Sequence, residues 1–203
     1  MQTIDIDDYR IRITERQDED IDHLLGAYYK CEQIHSDNIY VREGGEDFVK
    51  QQADAIITNV LHKKIAVRVA DCLPIALMGK KYFAIVHAGW KGLKSGILSK
   101  TIKMLQVKKE KQIKIFVGPH IKSCCYEVGS EFREHFDAKY LLAKQSKLYL
   151  DMIGIVRDTA AAFGIQDDDI IVTPDCTCCS GKHFSYRRGD KDQRIMIAIE
   201  KIF

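Results

Sequence analysis

Thiols and imidazoles are the side chains best suited to hold a soft metal ion or to act as nucleophile and base, and this chain carries seven of each. Two of them, Cys72 and His87, flank what reads as a tight hairpin. If Gly79-Lys80 is a two-residue loop, with glycine at the first central position of a type II′ turn, Met78 faces Lys81. Counting outward sets Cys72 opposite His87. Directly opposed residues share a sheet face with Cβ atoms about 4.5–5.5 Å apart, near enough for a thiolate and an imidazole to share one ion. Pro74 complicates this register, because an interior proline cannot donate to the ladder and belongs at edges, strand starts or bulges. A slip of one residue would turn the pair onto opposite faces. The plainer alternative is a small buried thiol and a satisfied core histidine, and the hairpin alone leaves both readings open.

The elements that must position these residues are readable from periodicity. β-Branched runs at Ile65 to Ala70, Leu73 to Met78, Tyr82 to His87 and Ile113 to Val117 predict central strands, and Ile195 to Ile202 predicts a last one. Between the third and fourth runs, Gly92 to Val107 sets Leu93, Ile97, Ile102 and Leu105 near one helical face, with Gly96 weakening the helix by about 1 kcal/mol. A second helix is expected over Asp151 to Phe163, ended by Gly164. Near the amino end, Ile11 and Ile13 alternate as in a strand, and Ile21, Leu24, Leu25 and Tyr28 repeat at helical spacing. Strands interleaved with helices predict an α/β or α+β fold with mixed sheet, and residues 1–203 read as one domain.

Composition bounds the function. The 203 residues are 46% hydrophobic and 30% charged, with 3 prolines and 13 glycines, which excludes fibrous and disordered classes. A formal charge of +2 is too small to steer the whole molecule to nucleic acid or anionic membrane, so any anion site is local. The longest stretch free of Asp, Glu, Lys and Arg, Tyr82 to Trp90, is far short of the ~18 apolar residues of a membrane span. Asp5, Asp7 and Asp8 stand where a secretory signal would be basic, and the chain reads as cytoplasmic. Seven cysteines are an odd number, with Cys124-Cys125 and Cys178-Cys179 adjacent, which favours metal or nucleophile over disulfides. Nothing in the sequence sets an oligomeric state.

Five ordered blocks carry a resemblance. Gln33-Ile34-His35, Ala70-Asp71-Cys72-Leu73-Pro74, His87-Ala88-Gly89-Trp90-Lys91-Gly92, Gly118-Pro119 with Cys125-Tyr126-Glu127-Val128-Gly129, and Phe184-Ser185-Tyr186-Arg187-Arg188 resemble the YfiH-like laccase-domain family. The resemblance implies a layered α+β fold and a zinc held by His35, Cys72 and His87, with a fourth position left for water or substrate. It also implies phosphorolysis of adenosine, inosine, guanosine and methylthioadenosine, with phosphate as co-substrate, and deamination of adenosine. Older names in the family invoke copper-dependent polyphenol oxidation. Zinc is favoured over copper because a blue-copper site adds a weak axial ligand, and Met78 lies at the far end of the Cys72 strand.

Other residues take roles from that chemistry. Asp71 is a proton shuttle in deamination or, by the plainer reading, a carboxylate orienting a ligand histidine. Arg187 and Arg188 are the phosphate candidates, since the guanidinium fork fits phosphate oxygens. Backbone amides at Gly89 to Gly92 offer weaker anion donors, and Trp90 reads as a packing anchor more than a purine platform. His23, His62, His120 and His135 read as surface or packing residues.

The chain departs from the family at Ile13-Thr14-Glu15-Arg16-Gln17, where only Thr14 and Arg16 fit the usual glycine-rich segment. Arg16 is therefore the weakest substrate-binding candidate. Cys176, Cys178, Cys179 and His183 raise a second zinc site, but C-x-C-C-x3-H matches no common finger, so metal-free loop cysteines are expected. Two further classes compete: Cys72 as the nucleophile of a cysteine amidase acting on peptidoglycan precursors, and a non-catalytic metal-bound partner protein.

Overall fold

The computed structural model describes residues 1–44 and 50–203. Alternation of apolar residues builds two packed mixed sheets. The five-stranded sheet runs β1 (Gln2–Ile6), β2 (Tyr9–Ile13), β14 (Ile195–Lys201), β6 (Lys64–Val69) and β3 (Tyr28–Tyr29). The six-stranded sheet runs β13 (Ile170–Val172), β9 (Lys114–Val117), β7 (Leu73–Met78), β8 (Phe83–Ala88), β5 (Ala55–Thr58) and β4 (Ile39–Arg42). A small third sheet orders β10 (Glu127–Val128), β12 (Lys147–Leu150) and β11 (Leu141–Lys144). The architecture is α+β.

β7 and β8 are buried throughout, because both faces of their sheet are covered. Leu73, Ile75 and Leu77 of β7, with Ala84, Val86 and Ala88 of β8, pack beneath the helices α2 (Trp90–Lys94), α3 (Ile97–Val107) and α4 (Met152–Ala162). The alternate residues, Ala76, Met78, Phe83 and Ile85, meet Ile11, Ile13, Val67, Val69 and Ile197 of the other sheet. Cys72 packs beside this inter-sheet cluster, and the two-residue period sends His87 to the same side as Phe83 and Ile85. The metal-ligand candidates thus lie where the two sheets part.

Three expectations are corrected. The segment Gly92 to Val107 is not one helix, because Gly96 adopts φ +80° and divides α2 from α3. The helical spacing from Ile21 yields only α1 (Ile21–Leu25), stopped by Gly26 at φ +63°, so Tyr28 opens β3 instead. The β7–β8 register is also shifted by two: Gly79 pairs with Tyr82, Met78 faces Phe83, and His87 faces Pro74. The cause is a distant acid. The buried Glu110 carboxylate accepts the amides of Lys80, Lys81 and Tyr82, stabilising a turn centred on Lys80-Lys81. Gly79 is needed for space, since a Cβ there would lie 2.6 Å from Glu110 Oε2. Pro74 is tolerated one step beyond the last β7–β9 pair, Ile75 with Val117: its carbonyl still accepts the Gly118 amide at 3.0 Å, and the Gly118 carbonyl that a residue-74 amide would have served meets His120 Nδ1 at 2.8 Å instead.

Candidate metal centre

A register shifted by two conserves the sheet face, so Cys72 falls diagonal to His87 and beside Gly89. His35 reaches the same place from the loop before β4. One ligand atom from each of His35, Cys72 and His87 lies within 4.8 Å of the other two. The two imidazoles meet edge to face with centroids 4.8 Å apart. A Cβ at residue 89 would stand 3.0 Å from Cys72 Sγ and 3.4 Å from His35 Cδ2, so glycine there keeps the point of convergence clear. Two imidazoles and one thiol, with a side open to the cleft, form a donor set able to hold a metal ion and leave it one open position.

Asp54, which sequence reasoning missed, organises this group. Its side chain is fully buried and sits just before β5. Oδ1 meets His87 Nδ1 at 2.8 Å and accepts the His35 amide at 3.1 Å, while Oδ2 accepts the Ser36 amide at 2.6 Å and hydroxyl at 2.7 Å. The Ile34 amide adds a longer contact at 3.3 Å. One carboxylate therefore fixes the His87 ring, leaving Nε2 for an ion, and pins the loop that holds His35 at φ +58°. The only sequence signal was an acid between Ala53 and Ala55 at the mouth of a β-branched run.

The charges follow from these contacts. Burial pushes Asp54 up, but hydrogen bonds from His87 and Ser36 hold it at about 2. Burial works to lower His87, yet its bonds to Asp54 and Cys72 raise it to about 9. Burial likewise opposes Cys72 ionisation, and the two histidines bring it down to about 7.

The centre lies in a cleft of about 930 Å³, a size suited to a small-molecule ligand. Arg68, Arg187, Lys191 and Arg194 line it together with Trp90, Tyr126 and Tyr186. Arg187 lies over the Tyr126 ring, 5.5 Å from its centroid, and donates to the carbonyls of Glu127 and Cys125. Asp71 lines the cleft at the strained φ of +118°, with its oxygens taken by the Thr177 hydroxyl at 2.6 Å and the Arg187 amide at 2.7 Å. It touches neither ligand histidine, and Asp54 does that work.

Arg188 and Arg16 do not line the cleft. Arg188 donates to the carbonyls of Thr177, Cys178 and His183 and to Asp190, and Arg16 holds Asp190 through two bonds of 2.9 Å. Both brace the segment that presents Arg187. Trp90 packs on Phe132 and stacks with His135 while also reaching the cleft. His120 is buried with Nδ1 against the Gly118 carbonyl, and His23 and His62 are exposed.

These blocks and this fold define a class. The multi-copper polyphenol oxidoreductase laccase family matches residues 7–200, and the chain belongs to that family. Among its relatives is a protein of Aquifex aeolicus named purine nucleoside phosphorylase, 39% identical over 171 residues that cover 84% of this chain and 81% of the relative. One of Escherichia coli, named purine nucleoside phosphorylase YfiH, is 33% identical over 173 residues, covering 81% of this chain and 70% of its own. The crystal structure of Bacillus licheniformis hypothetical protein YfiH aligns with a TM-score of 0.77 at 25% identity, covering 89% of this chain and 78% of that one. No helix among the described residues is long and apolar enough to cross a membrane.

Proposed function

We propose that this chain is a zinc-dependent purine nucleoside phosphorylase of the cytoplasm, with phosphate as co-substrate and adenosine deamination as a second reaction. The observation that carries this is the convergence of His35, Cys72 and His87 at a cleft walled by arginines and aromatic rings. His35, Cys72 and His87 would hold the zinc, which when bound polarises a substrate group or lowers the pKa of water. Two features support zinc over copper. Met78 is buried in the inter-sheet core, about 20 Å along the strand from Cys72 by strand rise. Among the described residues, only one of the two groups of three or more potential ligands contains histidine, where a multi-copper enzyme needs several such sites.

Breaking the glycosidic bond develops positive charge on ribose, so the site must bring phosphate close and hold the departing base. Arg187 is suited to holding phosphate, because two of its five donors go to carbonyls and the others remain for an anion. Tyr126, Tyr186 and Trp90 offer faces for a purine. Asp71 is a positioning residue in this reading, because both of its oxygens hold the Thr177–Arg187 wall. Asp54 stays ionised and keeps His87 in one orientation.

The test gives metal-replete protein adenosine with and without phosphate and separates the products by chromatography. Adenine that forms only with phosphate is expected, with inosine reporting deamination. Absence of adenine, hypoxanthine and inosine defeats the proposal.

The Cys72, His87 and Asp54 chain of contacts, with Cys72 near 7, also favours a cysteine-nucleophile hydrolase. Alkylation separates the two readings. Zinc-loaded protein should protect Cys72, whereas a nucleophilic cysteine is trapped and activity on amide substrates is lost.

A further inference from the structure

Four other cysteines converge away from the cleft ligands. Cys124 and Cys125 lie in the loop between β9 and β10, while Cys176 caps the amino end of the short helix α5 (Thr177–Ser180) and Cys179 lies within it. One sulfur from each lies within 4.8 Å of all the others. Cys124 Sγ is 3.6 Å from Cys125 Sγ and 3.8 Å from Cys179 Sγ. Four sulfurs arranged tetrahedrally at the usual ~2.3 Å zinc–sulfur distance are separated by about 3.8 Å. We infer that Cys124, Cys125, Cys176 and Cys179 form a second zinc site, structural and closed by four thiolates.

The local chemistry agrees. Cys176 and Cys179 have the two-residue spacing common to zinc knuckles, and the Lys122 amide donates to Cys176 Sγ at 3.5 Å. The sulfur spacings are far beyond a disulfide bond of about 2.05 Å. Cys178 and His183, grouped with this set by their place in the chain, are not part of it; Cys124 and Cys125 take their places.

The site fastens two walls of the cleft to each other. The loop of Cys125 supplies Tyr126 and the carbonyls that hold Arg187, and α5 supplies Thr177, whose hydroxyl holds Asp71. A zinc here locks both segments without touching substrate, the part a closed four-ligand site plays.

The experiment measures zinc per chain by elemental analysis of reduced, zinc-replete full-length protein after a brief chelator wash. Wild type is expected to hold two ions, Cys72→Ala one, Cys179→Ser one and Cys178→Ser two. Cobalt loading of Cys72→Ala should give the intense thiolate-to-cobalt absorption of a four-sulfur site. That measurement leaves all four cysteines intact, so it stands even where Cys179→Ser fails to fold. A wild type with one ion that Cys72→Ala retains supports this site while defeating the zinc reading of the cleft. Loss of all zinc in Cys72→Ala overturns the second site.

Discussion

Asp54→Asn is the sharpest test of the claim that one buried carboxylate organises the metal centre. The amide keeps the shape of the side chain but turns one acceptor oxygen into a donor. That donor must then face His87 Nδ1–H or the amides and hydroxyl that now converge on the carboxylate. Losing a charge-assisted hydrogen bond and leaving its partner buried costs about 1.5–3 kcal/mol. Residues that orient a metal-ligating histidine typically account for roughly 10–100-fold in metal affinity. Zinc affinity, measured by competition with a chromophoric chelator, should therefore fall by that factor, and the denaturation midpoint of the metal-free chain should drop.

The pH dependence gives an independent reading of the same residue. Asp54 is held at about 2, below its ordinary 3.8, which corresponds to roughly 2.5 kcal/mol of stability. Because the folded value is the lower one, this contribution is fully present above about pH 4 and disappears as the pH falls through 2. Asparagine has no such component, so the stability gap between wild type and variant should narrow on acidification through that window. Equal zinc affinity in the two proteins, with parallel stability curves from pH 6 to 2, would refute the role assigned to Asp54.

Other substitutions probe separate parts of the argument. Gly89→Ala brings a methyl 3.0 Å from Cys72 Sγ at an ordinary backbone φ of −77°, so zinc affinity should fall by about tenfold with little loss of stability, a split read by pairing metal titration with thermal unfolding. Arg187→Ala should raise the KM for phosphate at least tenfold, whereas Arg188→Ala, whose guanidinium is spent on carbonyls and Asp190, should act through stability; steady-state kinetics beside unfolding curves distinguish them. Glu110→Ala removes the acceptor for three turn amides and should destabilise the chain by about 2–4 kcal/mol in urea without changing metal content.

What was legible in the sequence depended on how local its cause is. The β-branched runs and the helix from Asp151 are settled by neighbours in the chain: β7 falls on Leu73–Met78, and α4 spans Met152–Ala162 with Asp151 as its cap, accepting the Gly154 amide. The hairpin register was not local. Glu110, some thirty residues downstream, selects the turn by binding three of its amides, and no pattern around Gly79 announces it. The error nevertheless left the site readable, because a displacement of two residues keeps side chains on their original face and only a displacement of one would have parted Cys72 from His87. Asp54 and the four-sulfur group were opaque for a related reason. Each is assembled from segments that only the packing of the sheets and the β9–β13 edge brings together, with Cys124 and Cys179 touching across 55 positions. A short motif reports residues that share a turn or a strand, whereas a carboxylate that serves a loop and a distant strand at once is visible only after the chain has closed around it.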